Sequence, residues 1–159
     1  MKNVFLTFKE LKKLYQFDFS DRPELGLIRD LFVLQIYLGM RFGEFFSANI
    51  IGDAIEYTPT KTGNRVVRLL LTGTAKEFIN KYSRLDAQSL VPKLSLPDYN
   101  KGIKRVLKEV GIDRVVAIMN PTTGHEEHYP IYEVASSQMA RRTFVGLACR
   151  PISFSVTRV

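Results

Sequence analysis

Cysteine is almost absent from these 159 residues: Cys149 is the only one. A lone cysteine excludes an intramolecular disulfide and a cysteine-rich zinc site. Histidine is nearly as scarce. His125 and His128 stand in a polar stretch with Gly124 and two glutamates, which reads as a turn and a poor start for a metal site. No apolar run approaches the roughly 20 residues that span a bilayer. The N-terminal stretch is broken by Lys2, Lys9, Glu10, Lys12 and Lys13, so it lacks the apolar core of a signal peptide. There is no internal repeat and no low-complexity tract. These absences predict a cytoplasmic protein with no membrane partner, no metal and no cofactor.

The residues that are present describe a globular chain. Hydrophobic residues make up 45% and charged residues 25%, which excludes wholesale disorder. A chain of this length can bury roughly 70% of its unfolded surface and needs no staple to fold. One domain is expected over residues 5–148, followed by an irregular tail at 149–159. Lys and Arg number 23 against 16 acids, a formal charge of +7. Such a surface attracts polyanions, and nucleic acid is the commonest one in a cytoplasm.

Helix caps and apolar spacing set out the elements. Thr7 and Glu10 form a capping box that opens a short helix over residues 8–17. Asp21, Pro23 and Glu24 announce a second helix. Its Leu27, Leu31, Leu34 and Leu38 fall on one face, while Ile28, Phe32 and Ile36 make other faces apolar, so it belongs in the core. Gly39 ends or bends it, and a short helix follows near 42–48. A hairpin is predicted from strands at 54–58 and 65–71, turning through Lys61, Thr62, Gly63 and Asn64. Thr74 and Glu77 read as a second capping box, for a helix reaching about Tyr82. Residues 84–97, with Pro92 and Pro97, read as a loop.

Residues 98–110 predict an amphipathic helix capped by Gly111. Tyr99, Ile103, Val106, Leu107 and Val110 form its apolar face, and Lys101, Lys104, Arg105 and Lys108 its basic one. A short strand, a polar turn over 120–128 and a strand at 129–134 come next. Ser136 or Ser137 then caps a last helix through about Ala148. The fold class is mainly α with small antiparallel β-hairpins, an α+β domain.

Several cations sit at punctuation points of this plan. Arg41 follows Gly39 at a helix break, Lys61 lies at a hairpin tip, and Arg141 and Arg142 occupy the first turns of the last helix. An arginine fork can hold a phosphate by two hydrogen bonds. Two forks on one phosphate neutralise the charge that builds in phosphoryl transfer.

Gly39-Met40-Arg41-Phe42-Gly43-Glu44, then Thr60-Lys61-Thr62-Gly63, then Gln138-Met139-Ala140-Arg141-Arg142-Thr143-Phe144 resemble, in order, the motifs of the tyrosine recombinase (phage integrase) catalytic domain. The likeness is greatest to the integrases of Bacteroides-type mobile elements. The resemblance implies a DNA-binding domain for site-specific integration and recombination, with duplex DNA as partner and self-association on DNA alongside a full-length recombinase. It implies a bacterial, nucleoid-associated location. It makes Arg41 and Arg141 the phosphate-clamping arginines and Lys61 the general acid to the leaving oxygen. Glu44 and Arg142 take supporting positions.

Two departures stand out. Gln138 replaces the usual histidine; it can hydrogen-bond a phosphate oxygen but cannot exchange a proton near neutral pH. The family's nucleophilic tyrosine follows the second arginine. Here all seven tyrosines, the last being Tyr132, precede Arg141. An incomplete domain without its nucleophile is expected. The alternative is a non-catalytic DNA-binding or regulatory remnant, and a third reading is an unrelated basic interaction domain. Residue by residue, plainer roles exist: Arg41 as a helix cap, Lys61 as a solvated turn residue, the basic helix face as ordinary surface, Cys149 as an incidental thiol and Tyr132 as packing.

Overall fold

A computed structural model describes residues 4–59, 61, 65–70, 73–82 and 91–148. The predicted tail at 149–159, Cys149, and turn residues Thr62, Gly63 and Asn64 lie outside the described residues. The elements follow from local signals. Helix α1, Phe8–Gln16, is opened by the Thr7–Glu10 capping box, with both reciprocal bonds formed. Helix α2, Pro23–Leu38, starts with proline in its first turn, where a missing N–H costs nothing. It buries most of its middle, Asp30 through Ile36, because it packs against four other helices: α1, α4 (Gly73–Tyr82), α5 (Leu96–Val110) and α6 (Ser137–Ala148). Helix α3, Phe42–Ser47, is a short turn directly after the end of α2.

Two small antiparallel sheets flank the helices. In the first, β1 (Asn49–Ile51), β2 (Ala54–Tyr57) and β3 (Val67–Leu70) lie in sequence order, with Ile50 opposite Ile55 and Ile55 opposite Leu69. In the second, β4 (Val115–Met119) pairs with β5 (Glu126–Pro130), placing Val116 opposite Tyr129. Asn120 closes the intervening turn, its side chain accepting from the Thr122 amide at 2.9 Å.

Helix α5 carries the expected division: Tyr99, Ile103, Val106, Leu107 and Val110 are buried, whereas Lys101, Lys104, Arg105 and Lys108 are exposed. Its start corrects the sequence reading. Ser95 is the cap and Pro97 lies inside the first turn, so the helix begins at Leu96 and not at residue 98. Proline tolerates that position as well as it does a loop. Helix α4 likewise begins at Gly73, so Thr74 is a helical residue and not the cap. The strand expected at 129–134 is also displaced. Pro130 ends β5, since a proline has no N–H for the ladder, and Ile131–Glu133 form a 3₁₀ turn. Tyr132 therefore packs from that turn, with the Lys108 ammonium 5.6 Å from its ring centroid. Strand β1, three residues at a sheet edge, was not anticipated from the sequence.

No helix among the described residues is long and apolar enough to cross a membrane. No group of three or more metal-ligating side chains comes together among them.

Candidate nucleic-acid interface

The site begins where α2 ends. Gly39 adopts a left-handed conformation, φ +66°, and its N–H bonds back to the carbonyls of Gln35 and Ile36. Glycine meets this need without a Cβ penalty. It also leaves room for Phe144 of α6, whose ring would lie 2.6 Å from a Cβ placed there. The chain then turns through buried Met40 to Arg41, the extended residue that precedes α3.

Glu44, buried in α3, holds Arg41 twice. Its Oε2 accepts from the Arg41 backbone N–H at 2.9 Å and its Oε1 from the guanidinium Nη1 at 3.3 Å. A buried carboxylate is costly without a partner, and this one has its counter-charge three residues away. The Arg41 side chain stays about one-third exposed, at 35%.

Helix α6 supplies the opposite wall. Its start is held by α5, where Asn100 Oδ1 accepts from the Ser137 N–H at 2.8 Å. The carbonyl of Ser136 accepts from Met139, so Ser136 stands just ahead of the first helical residue. Further along, Thr143 is buried and its hydroxyl accepts from the Leu6 amide at 3.0 Å, docking the N-terminal segment on α6. Arg141 is exposed and donates to the Gly39 carbonyl at 3.4 Å. Arg142 donates to Gln138 Oε1 at 3.2 Å, one helical turn back.

Between these elements lies a groove of about 660 Å³. Arg41, Gln138, Arg141 and Arg142 are among its polar lining, and Phe5, Phe42, Leu96 and Val145 among its apolar lining. Four of the six residues singled out from the sequence as site residues thus share one concavity. Glu44 sits beneath it, bonded to Arg41. Lys61 is exposed in the turn between β2 and β3 and is not among the groove's described lining.

Tyr57, at the end of β2, was overlooked. Burial pushes its hydroxyl pKa above the ordinary value of 10.0, the charge on Glu44 adds to that, and Arg141 opposes it. Gln35 was overlooked as well, although a lone glutamine amid the apolar residues of a core helix is a visible signal of a buried polar role.

This architecture is a tyrosine-recombinase-like fold, the class implied by the sequence motifs. One solved structure that shares it is the XerH site-specific recombinase bound to difH substrate, a pre-cleavage complex. The match has a TM-score of 0.56 at 14% identity and covers 91% of this chain and 43% of that one. The chain thus spans less than half the length of the recombinase it resembles, and at this identity the likeness is one of fold. No protein-family model matches the sequence, and no curated protein does.

Proposed function

We propose that this chain is a DNA-binding domain of a site-specific tyrosine recombinase, of the kind used by integrases of mobile elements. The observation that carries the reading is the placement of Arg41 and Arg141 on the wall of one groove, though they come from distant parts of the sequence. The fold shared with a recombinase whose structure is a DNA complex supports it. Two planar guanidinium forks in one concavity suit a backbone phosphate, which accepts several hydrogen bonds at once. Gln138 would add a neutral donor to the same oxygens. Arg142, bonded to Gln138, would hold that amide in place, and Glu44 would do the same for Arg41. Lys61, exposed on its turn, would reach the phosphate as the general acid of strand cleavage.

A second reading, DNA binding without cleavage, is favoured by one observation: the groove's described lining offers cations and an amide but no tyrosine. Both readings share the same grip on DNA.

The test is a fluorescence-anisotropy titration on a short duplex between about 50 and 200 mM salt. Binding should weaken steeply as salt rises. Arg41→Ala and Arg141→Ala should each flatten the logarithmic salt slope by about one, the signature of one lost phosphate contact. Affinity indifferent to salt, or no binding at the lowest salt, would point instead to an unrelated basic domain.

A further inference from the structure

Gln35 lies in the last turn of α2 with no solvent exposure, and its neighbours in sequence are Leu34 and Ile36. An amide buried in such surroundings is unfavourable unless its polar atoms are bonded. Here they are, on three separate segments. Nε2 donates to the Met40 carbonyl at 3.0 Å and to the Ser137 carbonyl at 3.3 Å, which uses both of its N–H groups. Oε1 accepts from the hydroxyl of buried Tyr99 on α5 at 2.8 Å. The two carbonyls fix which way the amide faces, because they can only accept; the phenol then donates to the remaining oxygen and anchors it.

The identity of the two carbonyls gives the network its meaning. One belongs to the peptide that joins Met40 to Arg41, and the other to the peptide that joins Ser137 to Gln138. The first peptide is held from its other side as well, since the Arg41 N–H is bonded to Glu44. Residue Ser137 is held on its N–H by Asn100. A single buried side chain therefore links the backbone of the two walls. It ties the backbone from which Arg41 springs to the first turn of the helix that carries Gln138 and Arg141. The direct tie across the walls, from Arg141 to Gly39, is longer at 3.4 Å and occupies a guanidinium that a phosphate would also engage.

We infer that Gln35 is a positioning residue for the phosphate grip, setting the separation of the Arg41 and Gln138–Arg141 walls through its two amide donors, with Tyr99 anchoring its oxygen. The inference rests on the reading of the groove as a phosphate site. Two forks share one phosphate only when held to within about 0.5 Å of the productive geometry, and that tolerance demands support from packed, bonded neighbours. A purely space-filling role in an apolar helix would be served equally by methionine.

The experiment combines two substitutions with a double-mutant cycle. Gln35→Met keeps the volume and removes both donors. Tyr99→Phe keeps the ring against Phe46 and removes only the hydroxyl that anchors the amide oxygen. For each background, duplex affinity is measured for the parent, Arg41→Ala, Arg141→Ala and the double variant, alongside urea midpoints. In the unsubstituted background the two arginine deletions should be non-additive, because they act on one phosphate. In Gln35→Met that coupling should disappear and affinity should fall about tenfold, within the range for members of one hydrogen-bond network. Tyr99→Phe should shift both quantities the same way by less. A Gln35→Met protein with a lowered urea midpoint but unchanged affinity and coupling would overturn the inference and leave a packing role. If Gln35→Met does not fold, Tyr99→Phe decides: unchanged coupling there overturns the inference too. Failure of the groove reading itself looks different. It appears in the unsubstituted background, where Arg41→Ala and Arg141→Ala would leave affinity untouched, and the inference falls with it.

Discussion

Arg141 and Gly39 stand 102 positions apart, yet Nη1 of the arginine donates to the carbonyl oxygen of the glycine at 3.4 Å. That carbonyl belongs to the residue whose left-handed turn ends α2 and aims the chain toward Arg41. The helix break and the last helix are thus fitted to each other at the site itself. The bond is at the long end of the useful range, so it commits the guanidinium only weakly.

Gly39→Ala tests this fit. Alanine would have to hold φ near +66° and push aside the Phe144 ring, 2.6 Å from the new methyl. The left-handed conformation and the overlap together should cost about 2–4 kcal/mol of stability in urea unfolding. Phe144→Leu in the same chain should recover part of that loss, because it relieves the overlap and leaves the backbone strain.

Arg29 carries more structural weight than any exposed cation. Its Nη1 reaches the carbonyls of Leu14, Tyr15 and Phe17, which close the link from α1 to α2, and its Nε pairs with Asp30 at 2.7 Å. Asp30 is buried and also takes the Lys81 ammonium at 2.9 Å. Arg29→Met should destabilise the fold by about 3 kcal/mol, since it deprives three carbonyls and a buried carboxylate of a partner. Arg29→Lys should rescue little, because a single ammonium cannot reproduce the fork. Arg68→Ala, at the exposed pair with Glu56, should stay within about 0.5 kcal/mol. Urea midpoints of the variants rank these claims.

Glu10 gives the chain an acid-sensitive latch. Burial pushes its pKa up, but hydrogen bonds from Arg114 and Thr7 outweigh that and leave it below the ordinary 4.5. A carboxylate depressed in the folded state contributes stability that is present above its unfolded value and is lost as pH falls through the folded one. The gap in urea midpoint between the parent and Glu10→Gln should therefore be full near pH 7 and shrink below pH 4.5. A gap independent of pH would mean that the Arg114–Glu10 pair, 2.9 Å apart, contributes nothing through its charge.

The 159-residue chain should form no covalent adduct with a nicked suicide duplex on a denaturing gel. No tyrosine follows Arg141. For Tyr57, burial shifts the hydroxyl pKa upward, opposite to the lowering that would activate a nucleophile. An adduct abolished by Tyr57→Phe would reverse this assignment, and one abolished by Tyr132→Phe would place the chemistry in the 3₁₀ turn.

Local signals were legible and relational ones were not. The Thr7–Glu10 box, the apolar face of α5 and the glycine ends of α2 and α5 are written within a few residues of each other, so spacing alone reveals them. Pro97 was ambiguous because a helix's first turn and a loop accept proline alike. Strand β5 begins with two glutamates and a histidine, weak strand formers that pair because β4 lies alongside. At the site, Arg41, Gln138 and Arg141 could be found by motif. Glu44 and Arg142, which bond residues three and four positions away, could be found the same way; the partners that Gln35, Asn100 and Phe144 reach could not, because those contacts cross long separations in sequence that no local pattern records.

The bond from the Leu6 amide to the Thr143 hydroxyl spans 137 positions, and this has a bearing on how the protein is made. On the ribosome, the segment before α1 and the Arg41 junction emerge long before α6 does. Until then the Leu6 amide, the Gly39 carbonyl and the space above Gly39 await partners not yet translated. A nascent chain can bury α2 against α1, α4 and α5, yet it displays only one wall of the groove. The groove lined by Arg41 and Arg141 therefore arrives late in synthesis and all at once, when α6 docks.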